Sequence, residues 1–202
     1  MLHLTPGTNG TSIIAALPPF EEANRTRALL ATILRDLNTR GFTTALPDLP
    51  GQSESVVATE DARLADWRNA FAAAALALPG CVHAVTLRAG ALVDIDAEVA
   101  SRWMLSPQGG AALARELERL RQLGDGLAAG NKLADDLIAE LNGAEPAITG
   151  PIRTLRLASE PQPADRTIDA APLWRRAEPD NDPALAALLA DDIAEWIATC
   201  GA

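Results

Sequence analysis

Runs of unbroken apolar residues alternate along the chain with segments whose apolar positions recur every three or four residues. Thr11 to Leu17, TSIIAAL, is β-branched and apolar and is stopped by Pro18-Pro19, which predicts a buried strand. Asn24 then precedes RTRALLATILRDLNTRG, where Leu29, Leu30, Ile33, Leu34 and Leu37 share one helical face and Gly41 supplies the stop. Phe42 to Leu49, FTTALPDL, reads as a second strand running into a Pro-Gly loop. Asp61 to Leu78 reads as a second helix with Leu64, Trp67, Phe71 and Leu78 on one side. Pro79-Gly80 ends it, and CVHAVTL, Cys81 to Leu87, is a third strand. Strand, helix, strand, helix, strand at this spacing predicts a parallel sheet with helices on its faces and right-handed crossovers.

After Leu87 comes a small-residue turn, Arg88 to Gly90, and then ALVDIDAE, with room for two helical turns before VASRWMLSP resumes strand character. AALARELERLRQLGDGLA and NKLADDLIAEL are amphipathic and are separated by Gly124, Gly126 and Gly130. Neither runs straight into a strand, so residues 108–145 are expected to form a helical cap inserted over the sheet. Gly150 to Ser159 reads as a strand, and the Pro-rich stretch from Glu160 to Asp182 as loose connection. In the last helix Asp182 caps and Pro183 takes the first position. Leu185, Leu188, Leu189, Ile193, Trp196 and Ile197 face inward. No repeat or composition break divides the chain, which is expected to be one domain over residues 1–202.

Composition narrows the function classes. The chain has 202 residues, 48% of them hydrophobic and 22% charged, enough to close a single core. A net charge of −10 argues against nucleic acid, which needs a basic footprint, and reads mainly as solubility. Among the 17 basic residues only Lys132 is a lysine, a bias that fits GC-rich bacterial codons. Cys81 and Cys200 have no metal-ligand spacing and are expected as free thiols in a reducing compartment. The N-terminus lacks a basic n-region, and no stretch approaches the ~20 apolar residues of a membrane span. The expectation is a cytoplasmic protein with no metal and no cofactor.

In an open parallel sheet, ligands bind beyond the carboxyl ends of the strands. The loops there carry Glu21, Glu22, Asn24, Asp48, Ser53, Ser55, Arg88 and Glu160. PPFEEANRTR, then LPDLPGQSES, then Trp67-Arg68, then a strand ending LRAGALV resembles the α/β-hydrolase superfamily. More narrowly, the chain resembles the exosortase A system-associated hydrolases, encoded beside bacterial exopolysaccharide and PEP-CTERM sorting genes. The matching features are the Pro-Pro-Phe, acidic, Asn, Arg run and a D-x-x-G-x-G-x-S-like loop. That loop is Asp48, Gly51, Ser53 (where glycine is usual) and Ser55. The likeness is good from Ser12 to about Val93 and weaker beyond. It implies an α/β three-layer sandwich with a mostly parallel sheet and a small helical cap.

A serine hydrolase of that fold needs a serine in a G-x-S-x-G elbow, an acid after a later strand and a histidine before the final helix. Here Arg88 holds the serine's position, with Thr86 two residues before and Gly90 two after. RRAEPDNDP, before the last helix, contains no histidine. His83, at the start of its strand, should lie roughly 16 Å from Arg88 at ~3.3 Å per residue. His3 falls on an early strand or a frayed tail. Glu160 or Asp165 is left as an acid with no imidazole to orient. No catalytic residue is assigned. The hydroxyl of Ser53 reads as a loop hydrogen-bonding group rather than a nucleophile.

A cation at a helix-opening turn needs an anion to offset it. That anion is either an internal carboxylate (Glu21, Glu22, Asp48 or Glu160) or a small anionic ligand held bidentately. Three functions remain open. The first is a degenerate hydrolase that binds a ligand or a partner protein in an exopolysaccharide or exosortase system. The second is an active ester or thioester hydrolase using a non-triad site such as a Glu21 or Glu22 base, which the neighbouring arginine is expected to acidify. The third is a structural or homo-oligomer-forming protein, marked by a pocket filled with side chains.

Overall fold

The computed structural model describes residues 2–124, 126–128 and 130–200. Among them, seven strands form one sheet: β1 (Leu2–Thr5), β2 (Thr11–Ala16), β3 (Thr43–Pro47), β4 (Cys81–Leu87), β5 (Ser101–Leu105), β6 (Ile152–Leu157) and β7 (Arg166–Ile168). Their order is β1-β3-β2-β4-β5-β6-β7; only β1 runs antiparallel to its neighbour. Five α-helices accompany them: α1 (Glu21–Thr39), α2 (Leu64–Leu76), α3 (Gly110–Leu123), α4 (Asp135–Asn142) and α5 (Pro183–Cys200).

The period-2 alternation of strand side chains splits the core in two. Ile14, Ala16 and Ala84 face one layer with Trp67 and Phe71 of α2, Leu113 and Leu117 of α3, and Leu137 and Leu141 of α4. Ile13, Ala15, Val85 and Leu87 face the other, with Leu30 and Ile33 of α1 and Leu189 and Ile193 of α5. The two helices expected as a cap thus carry the connection from β5 to β6 and share an apolar cluster with α2.

Several local expectations change. The turn at Arg88 opens a five-residue 3₁₀ segment, Arg88–Leu92, and not an α-helix, so little helix dipole acts on the arginine. The stretch after Glu160 contains β7, whose three residues present one buried apolar side chain, Ile168, too weak a pattern to read. Asp182 caps α5 as expected, its Oδ1 accepting the Leu185 N–H at 2.9 Å. Both cysteines are free, as expected, Cys81 exposed and Cys200 half-buried.

One buried polar anchor ties the layers. The Asp192 carboxylate of α5 accepts Trp103 Nε1–H of β5 at 2.8 Å, two Arg153 N–H groups of β6 at 2.7 Å and Arg166 Nη1 of β7 at 2.7 Å. Burial pushes this carboxyl up, but the three donors outweigh it and hold it down at about 2.

Candidate functional site

Backbone strain marks the carboxyl edge of the sheet. Among the described residues four non-glycine positions have positive φ: Phe20 (61°), Ser53 (48°), Arg88 (54°) and Ser106 (49°). They follow β2, β3, β4 and β5 respectively, the four loops where a parallel sheet binds ligands. At the β4 loop, a Cβ on Gly90 would sit 2.7 Å from Ala16 O and 2.8 Å from Leu17 O, so the sharp turn can pass β2 only as glycine.

Arg88 projects from this elbow into a ring of side chains from four other segments. Its Nε lies 3.4 Å from Glu22 Oε2 in the first turn of α1, and its Nη1 4.0 Å from Glu160 Oε1 after β6. The loop after β5 supplies neutral acceptors, the Ser106 carbonyl at 3.2 Å and Gln108 Oε1 at 3.2 Å. The guanidinium carbon stands 4.9 Å from the centroid of Trp174, in the segment before α5, a cation–π stack. Glu160 in turn accepts the Ser106 hydroxyl at 2.7 Å.

The structure thus brings together Arg88, Glu22 and Glu160, and places the other candidates elsewhere. Glu21 pairs with Arg25 one turn along α1. Ser53 Oγ accepts a hydrogen bond from Arg27. The side chain of Asp48 meets His3 of β1, Nε2 to Oδ2 3.5 Å. Asn24, with Ser53, lines a neighbouring cavity of about 320 Å³. Trp174 was not foreseen; the loop from Ser106 to Gly110 was expected at the ligand edge, but Ser106 and Gln108 were not singled out within it. Trp174 had one available signal, a large aromatic in the Pro-rich segment before the last helix.

Arg88 thus stands at the elbow after β4, Glu160 in the loop after β6 and Trp174 in the short segment Leu173–Arg175 that precedes α5. His83 is buried on the amino half of β4, bonded through Nδ1 to Ser101 Oγ at 2.8 Å. Burial lowers its pKa, keeping the ring neutral near pH 7. In the loop after β2, Pro18 and Pro19 have no N–H, and the N–H of Phe20 is given to Gln52 Oε1 at 3.0 Å.

Glu22 reverses an expectation. Burial raises its pKa, and this outweighs the pull of Arg88, with Glu116 pushing the same way as burial.

No family model matches the chain, and no curated protein does. Solved structures do resemble it in fold. Mouse alpha/beta hydrolase domain-containing protein 10 superposes with a TM-score of 0.65 at 13% identity, covering 98% of this chain and 93% of that one. Est1E from Butyrivibrio proteoclasticus, with ferulic acid bound, gives 0.63 at 16% identity over 98% and 95%. The NocB thioesterase domain, in a covalent complex with a fluorophosphonate nocardicin G analogue, gives 0.60 at 15% identity over 97% and 99%. The chain has the α/β-hydrolase fold. Among the described residues no helix is long and apolar enough to cross a membrane.

Proposed function

We propose that this chain is a hydrolase-fold protein without a catalytic triad, a cytoplasmic accessory protein that binds a small anion or an anionic group of a partner at Arg88. One observation carries the reading: the guanidinium stands at the nucleophile's position but is loosely held. Its carboxylate contacts, 3.4 and 3.5 Å to Glu22 and 4.0 Å to Glu160, are long against the ~2.7–2.9 Å of a charge-assisted hydrogen bond, and Arg88 Nε has no hydrogen-bond partner. A bidentate carboxylate or phosphate forming shorter contacts would displace Glu22 and Glu160. The exopolysaccharide or exosortase setting rests on the Pro18-Pro19-Phe20 resemblance alone.

Two assays test this. Short-chain nitrophenyl esters and thioesters should show no turnover above background; turnover that a substitution of Arg88 or Glu22 removes would end the reading. Phosphate or acetate should perturb the fluorescence of Trp174, and the perturbation should disappear in Arg88→Ala.

The raised pKa of Glu22 favours a second reading, in which its carboxylate serves as general base to a water while Arg88 polarises an acyl oxygen. That enzyme would show a rate rising with pH through the Glu22 titration and abolished in Glu22→Gln.

A further inference from the structure

The amino end of β4 carries another group of chemically capable side chains. Side chains alternate in direction along a strand, so Cys81 and His83 share one face, and the parallel register sets Ser101 of β5 directly beside His83. The three touch in series. Cys81 Sγ lies 3.5 Å from His83 Nε2, and His83 Nδ1 lies 2.8 Å from Ser101 Oγ. Cys81 is exposed, whereas His83 and Ser101 are buried beneath it. Arg88 stands past the other end of β4, roughly 23 Å away at ~3.3 Å per residue, so this group does not depend on the anion site proposed above.

A nucleophile, a base within reach of its proton and a third group that orients the base make up the arrangement of an assisted nucleophile. The Ser101 hydroxyl can accept the Nδ1 proton, and in that tautomer Nε2 turns its lone pair to the thiol. Burial keeps the imidazole neutral near pH 7, which leaves the lone pair free to receive a proton. Cys200, by contrast, is half-buried and has a hydroxyl as its neighbour, Thr199 Oγ1 at 3.9 Å.

We propose that Cys81 is a site of reversible thiol–disulfide exchange with a small disulfide, with His83 as general base and Ser101 positioning the imidazole. The thiol gives its proton to His83 Nε2 as Sγ attacks one sulfur of the disulfide. A new bond forms between Sγ and that sulfur, the reagent's own S–S bond breaks, and the departing thiolate takes the proton from His83 and leaves as a thiol. Cys81 is oxidised to a mixed disulfide, one half of the reagent is reduced, and a small thiol runs the exchange backward.

Hydroxyethyl disulfide is the probe, because it is uncharged and so indifferent to the protein's net charge of −10. In the Cys200→Ser chain, mass spectrometry should show one adduct, at Cys81, which dithiothreitol removes. It should form at least roughly tenfold faster than the same reagent reacts with free glutathione. His83→Gln in that background should slow the reaction roughly tenfold. Ser101→Ala should slow it several-fold, and Ser101→Thr, which keeps the hydroxyl, should restore it. Thermal melts identify the variants that remain folded; if His83→Gln does not, the two Ser101 variants decide. A rate no faster than that of glutathione, an unchanged rate in folded His83→Gln or in Ser101→Ala, or Ser101→Thr as slow as Ser101→Ala would each overturn the proposal.

Discussion

The guanidinium of Arg88 stacks over the indole of Trp174, 4.9 Å from the ring centroid. The stack ties the elbow after β4 to the segment before α5. Neither partner can take up a proton as a base would, since a guanidinium and an indole N–H are donors only.

Placing a serine at the elbow should therefore not confer hydrolysis. Arg88→Ser is expected to remain inactive on nitrophenyl esters and to stay unlabelled by a fluorophosphonate probe, because no imidazole is within reach to take its proton. Rapid labelling of the introduced hydroxyl in that variant would show that another base serves the site.

Asp192 should dominate the mutational profile. Asp192→Ala strands Arg153, Arg166 and the Trp103 indole without their acceptor, and urea denaturation should show a loss of about 3–5 kcal/mol. The carboxyl titrates at about 2 when folded and at about 4 when unfolded, so its stabilisation is complete above about pH 4 and is lost as pH falls toward about 2.

Asp94 should behave in the opposite sense. It is fully buried beside Arg102, Oδ2 to Nε 3.2 Å. Burial lifts its carboxyl to about 6 against the pull of that arginine. A folded pKa above the unfolded one favours the native state at low pH, so this group's contribution declines as pH rises from about 4 to about 6, by up to about 3 kcal/mol. Asp94→Asn should flatten that part of the stability curve, measured by denaturant titration at closely spaced pH values.

Gly90→Ala should test the elbow itself. The new methyl would meet the Ala16 and Leu17 carbonyls at 2.7 and 2.8 Å, contacts with backbone that cannot swing away. A destabilisation of about 1–3 kcal/mol is expected by thermal denaturation. A neutral outcome would mean that the turn is looser than its geometry indicates.

The β-α-β-α-β run was legible because Ile13, Ile14, Val85 and their neighbours are buried on both faces of the sheet and so read as continuous apolar stretches. The edge strand β7 was not, and β1 was read only as an early strand or a frayed tail around His3. The three residues of β7 carry only Ile168 as a signal. Arg88, Glu22 and Glu160 were foreseen because each stands a few residues beyond a strand end. Trp174 was not, since nothing in a Pro-rich stretch says which residue folds back onto the elbow. The other candidates separated for a physical reason: Glu21 and Glu22 are adjacent on a helix, about 100° apart, and so cannot face the same partner.

The hydrogen bond from the Phe20 amide to the Gln52 carboxamide bears on how such a protein can change over generations. An elbow nucleophile, an imidazole before the last helix and an unpaired N–H after β2 would have to come from three separate segments, and the Phe20 N–H is already held by Gln52. No single substitution supplies all three. A path toward triad chemistry on this edge would have to run through several loops at once, with the Gln52 contact among the things it must break.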